Sequence, residues 1–477
     1  MVEFVFSCKL SPCEEGSNGA EGTLFTKIKW ICSFIVVLLP FFCSISNIFQ
    51  KYLAVTLWAI MMWMFELLPE EIVAIMLPGL YILFDITNYA TAFSAWTTST
   101  PWITLGGLMI GGMIVKSGLV LRIAYKSLLL TKGSLKGIVW GIVLTCTIFT
   151  PLIPSIMAKV ALLVPVVIGI CKVLKVKAKS ATASALMLVV FFALWSPKMA
   201  FMTASTDSIL TAGILEQYLG VKITWLAWAK DMFIPGILWM LVSIPLIYIL
   251  RPQHLNLNKE YLELEYRKLG KITIDEKKTV TLIAALLILL IFSSWHKLPE
   301  GVLMLGIGCL GFFPGIGLLK SDDFSKIQFK VVFFLAGAVT IGAVASSIGI
   351  TESVINFVQP YFEQMNSYEL VMSIYIFSIL ANFLLNPLAL IATLMIPIAN
   401  LCSNLGYSAT IGGYSMIMGF NQALFPYEIA PLMLVYGFGY LKLTHLIKVM
   451  VFRIVAGIIF MTVVTYPYWL YIGLLDK

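Results

Sequence analysis

Thr150-Pro151-Leu152-Ile153-Pro154-Ser155 interrupts a long apolar stretch, residues 137–220, and Asn386-Pro387 interrupts another, residues 368–440. A helix needs about 20 apolar residues to cross the roughly 30 Å hydrocarbon core of a bilayer, and neither stretch divides cleanly into pieces of that length. Irregular backbone at membrane depth is tolerated only where protein or a water-filled cavity surrounds it. Prolines and small polar residues set where a plain helix would continue therefore predict re-entrant hairpins or broken helices.

Working outward, clear apolar spans lie near 30–48, 52–68, 71–87, 101–118, 231–250, 279–295, 300–318, 329–348 and 449–474. The chain has 477 residues, 60% of them hydrophobic and 12% charged, and a mean hydropathy of +0.96, far outside the balance of a soluble domain. The net charge of +8 is spread between the spans rather than gathered into one patch with interleaved aromatics, which argues against a nucleic-acid partner. Eight cysteines without a CxxC pair, and three histidines, give neither a disulfide framework nor a metal site. No cofactor is expected.

Residues 1–29 are read as a cytoplasmic tail, since no A-x-A cleavage site follows a short apolar core. Cys8 and Cys13 are expected there as reduced thiols. The first transmembrane helix is placed at 30–50. With that start and about eleven crossings plus two hairpins, Arg122, Lys126, Lys132, Lys136, Lys172, Lys175, Lys177 and Lys179 fall on the inner side, with the loop from Arg251 to Lys278 and Lys320, Lys326 and Lys330. Lys51, Lys222, Lys230 and Lys297 are left outside. This predicts a multi-pass protein of the cell membrane.

The polar linker 252–278 separates two halves, 51–251 and 279–477, that echo one another. Phe65-Glu66-Leu67-Leu68-Pro69-Glu70 is matched by Trp295-His296-Lys297-Leu298-Pro299-Glu300, and Gly107 and Gly112 by Gly337 and Gly342 at an offset of 230. Leu162-Leu163-Val164-Pro165 recurs as Leu394-Met395-Ile396-Pro397. An odd number of spans per half gives all-α inverted-topology repeats, with hairpins near 137–172 and 368–402.

Phe425-Pro426-Tyr427-Glu428-Ile429-Ala430-Pro431-Leu432-Met433-Leu434-Val435-Tyr436-Gly437-Phe438-Gly439-Tyr440 resembles the L-P-x-x-T-P-P-N-x-x-V-x-x-x-G-[HY] segment of the divalent anion/sodium symporters. Lys116-Ser117-Gly118-Leu119-Val120-Leu121-Arg122-Ile123-Ala124 is similar to that family's T-G-L-x-x-R-[IL]-A turn, and the hairpin ends at Pro165 and Pro397 agree. The resemblance covers about residues 50–477. It implies a homodimeric secondary carrier of dicarboxylate, citrate or sulfate, in which a hairpin-bearing core moves against a scaffold.

The departures bear on coupling. The family's hairpin tips carry Ser-Asn-Thr, which holds sodium and substrate carboxylates; the matching positions are Ser155-Ile156-Met157 and Pro387-Leu388-Ala389, with Asn386 one place early. The G-T-P-P-N loop corresponds to Ala204-Ser205-Thr206-Asp207-Ser208 in the first half, and in the second Thr and Asn give way to Ile429 and Leu432. Oxygen ligands for a hard cation are largely gone.

Ionisable groups deep in a membrane are expensive and tend to mark the working site. Lys159, one turn beyond Ser155, and Lys198, in Trp195-Ser196-Pro197-Lys198, are candidates for a tethered ammonium in sodium's place. The plainer alternative is that each snorkels to a surface. Asp207 and Glu428, in the two broken-helix loops, are candidates for pairing with a lysine or taking up a proton, with Lys198 and Glu428 expected to matter most. Ser205, Thr206 and Ser208 offer hydroxyls to an anion, and Pro426, Pro431 and Pro387 flank the breaks. Without a Walker loop, G-x-S-x-G elbow or H-E-x-x-H motif, neither an enzyme nor a nucleotide-driven pump is indicated. The expected function is gradient-driven transport of a small divalent anion, with a proton or sodium as possible co-substrate. A degenerate carrier that only senses its ligand is the alternative.

Overall fold

The computed structural model describes residues 19–475 apart from Glu66, Lys132, Gly133, Leu152, Pro154, Val221, Lys222, Asn256, Leu257, Asn258 and Leu384. The thiols Cys8 and Cys13, and the flanking charges Lys132 and Lys222, lie outside the described residues.

Among the described residues the regular structure is helical. The longer helices are α1 (Gly19–Leu38), α2 (Asn47–Phe65), α3 (Glu70–Leu83), α4 (Ser99–Lys116), α5 (Leu119–Leu130), α6 (Leu135–Phe149), α7 (Ile156–Val173), α8 (Ala181–Trp195), α9 (Thr206–Leu219) and α10 (Trp225–Ser243). After the linker come α11 (Lys259–Lys268), α12 (Ile274–Ile291), α13 (Glu300–Leu310), α14 (Phe329–Ile348), α15 (Ile350–Val358), α16 (Ser367–Asn382), α17 (Pro387–Asn404), α18 (Ala409–Phe420), α19 (Ala430–Gly437) and α20 (Leu443–Phe460).

By length and composition seven described helices can cross a membrane, and the pair α4 and α5, bent by 65°, makes an eighth. The sequence predicts about eleven. The difference has a local cause, because several apolar runs are cut short by breakers. The run at 300–318 is helical only through Leu310, after which Pro314 and the left-handed Gly315 and Gly317 turn the chain. Pro40 likewise sits in a tight turn, Leu39–Phe42, within the apolar run at 30–48, while α1 begins already at Gly19. The helices Leu135–Phe149, Glu300–Leu310 and Ser367–Asn382 are apolar but shorter than a span.

The stretches expected as hairpins are helix-break-helix units. In the first, α6 ends at Phe149 and Ser155 caps α7, its hydroxyl accepting from the Ala158 amide at 3.2 Å. In the second, α16 ends at Asn382 and Asn386 caps α17 through the Ala389 amide at 2.9 Å. Such caps satisfy amides that a new helix would leave bare. Helices α6 and α7 pack on α8, and α16 and α17 pack on α18.

Elsewhere α4 lies along α13 and α3 along α14. The first contact is backbone to backbone: a Cβ at Gly106 would overlap the main chain of Met304. At the second, a Cβ on Gly337 would come within 2.6 Å of the Ala74 Cβ. The linker is pinned at its far end by Arg122 of α5, which donates to Glu276 Oε1 at 2.6 Å and to the carbonyls of Leu269, Gly270 and Lys271 at 3.2, 3.0 and 3.2 Å.

Candidate functional site

Two helices stop in the middle of the bundle. Every side chain of α8 from Thr182 to Trp195 is buried, and the helix ends where Pro197, lacking an N–H, opens a short tight turn, Pro197–Ala200. A second turn, Met202–Ala204, leads into α9. Helix α18 ends at Phe420, and the chain runs through the turn Pro426–Glu428 before α19 begins. The breaks touch: the Trp195 indole donates to the Asn421 carbonyl at 2.9 Å, and the Asn421 amide returns a bond to the Trp195 carbonyl at 3.0 Å.

Polar backbone freed by a break in an apolar bundle must find partners. The charged residues singled out from sequence supply several. Lys198 is 0% exposed; its ammonium pairs with Asp207 in the first turn of α9 and stands over the Trp195 ring, 3.2 Å from the centroid. Asp207 also accepts from the Ser208 amide at 3.1 Å, and the hydroxyls of Ser205 and Ser208 bond each other at 3.0 Å. Lys159, 1% exposed, donates to the Ala204 carbonyl at 3.2 Å, in electrostatic reach of Lys198 and Asp207. Neither lysine extends to a surface. Lys159, Lys198, Ser205, Asp207 and Ser208 are thus gathered around the first break, with Thr206 half-buried at its rim.

The second break is built differently. Glu428 pairs with no lysine among the described residues; its carboxylate accepts from the amides of Leu424 and Phe425 at 3.0 and 2.6 Å and from Asn382 Nδ2 at 3.2 Å. Lys198 and Glu428, the two residues expected to matter most, are not paired with each other: the acid in contact with Lys198 is Asp207, nine residues on. Pro426 is buried at the start of its turn and Pro431 half-buried in the first turn of α19. Ser155 and Asn386 serve as helix caps, and Asn386 Nδ2 also donates to Glu70 Oε1 of α3 at 3.2 Å. Pro387 opens α17.

Sequence reading missed Arg453. It is 1% exposed on α20 and reaches both breaks, bonding the Asn421 carbonyl and side chain, Gln422 Oε1 and Ser196 Oγ. Its guanidinium lies over Trp239 and Phe192, and Trp239 donates to Asn421 Oδ1 at 2.9 Å. The signal was present, as an arginine inside the apolar run at 449–474, by the rule that singled out the lysines.

A helical bundle with spans of membrane length, interrupted where ionised side chains collect, is a multi-pass membrane protein. The chain belongs to the family described as the sodium:sulfate symporter transmembrane region, whose profile it matches over residues 24–475. This agrees with the resemblance to divalent anion/sodium symporters. It is 28% identical to dicarboxylate transporter 1, chloroplastic, of Spinacia oleracea over 48% of this chain and 41% of that one. To the Arabidopsis thaliana protein of the same name it is 27% identical over 46% and 40%. The matches thus span less than half the length of these two relatives. The L-tartrate/succinate antiporter of Escherichia coli K12 is 23% identical over 85% of this chain and 90% of the relative.

Proposed function

We propose that the protein is a secondary transporter of a small divalent anion of the dicarboxylate type, working by alternating access about the two helix breaks. The observation that carries this reading is the collection of Lys159, Lys198, Asp207 and Arg453 in the interior at chain breaks, an arrangement a static scaffold has no need to bear. Among the relatives, a dicarboxylate transporter and a tartrate/succinate antiporter favour a dicarboxylate over sulfate.

The reading includes two inverted repeats. In support, α3 pairs with α14 and α4 with α13, and α7 pairs with α19 and α9 with α17. Each is the exchange of partners expected when α3 corresponds to α13, α4 to α14, α7 to α17 and α9 to α19. It also includes re-entrant hairpins at the two capped breaks, about eleven crossings, a cytoplasmic N-terminus and a homodimer.

Lys159 takes the place of the coupling cation in this proposal. Its ammonium bonds a main-chain carbonyl at the first break, the kind of oxygen a bound cation would use, while Lys198 is neutralised by Asp207. Transport then runs without sodium, as exchange or with protons. Purified protein in proteoliposomes is expected to take up labelled succinate equally in sodium and choline buffers, and Lys159→Ala to lose that uptake. Strict sodium dependence would refute the tethered-cation role, and binding without flux would select a ligand sensor instead.

A further inference from the structure

Arg453 differs from Lys198 in having, among the described residues, only neutral hydrogen-bond partners. One terminal nitrogen donates to the Asn421 carbonyl at 2.7 Å and Gln422 Oε1 at 3.2 Å, the other to Asn421 Oδ1 at 2.6 Å and Ser196 Oγ at 3.1 Å. The Nε is buried with no acceptor. No carboxylate forms an ion pair with Arg453 among the described residues.

Amide and hydroxyl dipoles solvate a buried guanidinium but do not cancel its charge, and arginine does not shed its proton in proteins. Nor do its neighbours cancel it. Asp207 is engaged by Lys198, and Glu428 stands one step away, held by Asn382 and two backbone amides. Asn382 Nδ2 touches the Gln422 carbonyl, so Glu428 and Arg453 face opposite ends of the same short segment without meeting. Lys159 adds a second cation without an acid in contact. The crossing of the breaks therefore holds more positive than negative charge in an enclosed apolar setting, where fields are weakly screened.

We infer that Arg453 is a specificity-determining residue, whose fixed and uncompensated charge at the crossing makes the site prefer divalent to monovalent anions. It acts through the field rather than by contact, since its terminal nitrogens are occupied. The inference rests on the proposed anion-carrier function. A purely structural role for the cage, knitting α8, the second break and α20 together, predicts a change in stability without a change in charge preference.

The test is equilibrium binding of labelled succinate to the purified full-length chain, with butyrate as the monovalent competitor of equal carbon number. The wild-type protein is expected to prefer succinate. Removing one charge at ~8 Å in a medium of effective dielectric ~20 should lower the preference about 30-fold in Arg453→Gln. Arg453→Lys keeps the charge and should keep the preference. Gln422→Glu leaves the arginine in place, preserves side-chain size and sets a carboxylate against the guanidinium, so it should lose the preference as Arg453→Gln does. That variant decides the matter if Arg453→Gln does not fold. A succinate preference unchanged in Gln422→Glu and in any folded Arg453→Gln overturns the inference. Wild-type binding without uptake defeats the carrier reading alone, and binding of neither anion defeats both.

Discussion

Lys198 and Asp207 tolerate burial only as a pair. Removing one partner leaves a charge without compensation in the bundle, which typically costs about 3–5 kcal/mol, whereas replacing both is far milder. Lys198→Met is therefore expected to lower the thermal unfolding temperature in detergent sharply, and Lys198→Met/Asp207→Asn to recover most of the loss. Equal destabilisation by single and double variants would show that the pair is not coupled. These lysines were legible in the sequence because a charge in an apolar run stands out. The partner of Lys198 was not, since the choice between Asp207 and Glu428 depends on how the chain bends after Pro197. Arg453 escapes because the run around it reads as one plain span.

Among the helices, the closest packing falls where glycine removes the side chain. At Gly106, α4 rests directly on the backbone of α13, so even a methyl group overlaps Met304. Gly106→Val should destabilise by about 1–3 kcal/mol or more through overpacking, since main chain cannot rotate aside. A shift in the detergent unfolding midpoint measures it, and an unshifted midpoint would mean that the two helices separate at little cost. The span at 329–348 matches α14 at both ends. Ends elsewhere were harder to read. Hydropathy carries a run through Pro314, Gly315 and Gly317, whereas the backbone turns there. The interruptions at 150–155 and at Asn386-Pro387 are visible from proline and small polar residues, but their capping hydrogen bonds depend on local backbone geometry.

For the molecule as a whole, orientation is the most accessible unknown. Arg122 fastens the linker to α5, so the linker's last residues share the side on which α5 lies. In a cysteine-free background, Lys271→Cys should react with an impermeant maleimide only in inverted vesicles. Labelling in right-side-out cells would reverse the assigned topology. Family and helical class were readable from the sequence alone, through the spacing of prolines, glycines and apolar runs. The count of crossings was not, since it turns on whether short apolar helices traverse the lipid or double back.

The mutual hydrogen bonds between Trp195 and Asn421 fasten the two interruptions into a single strut. A half-opened intermediate, in which one interruption gives way while the other stays put, would have to break both bonds. In the proposed alternating-access cycle, a displacement that exposes this interior to one side of the lipid would carry both interruptions together, as freight in one crate.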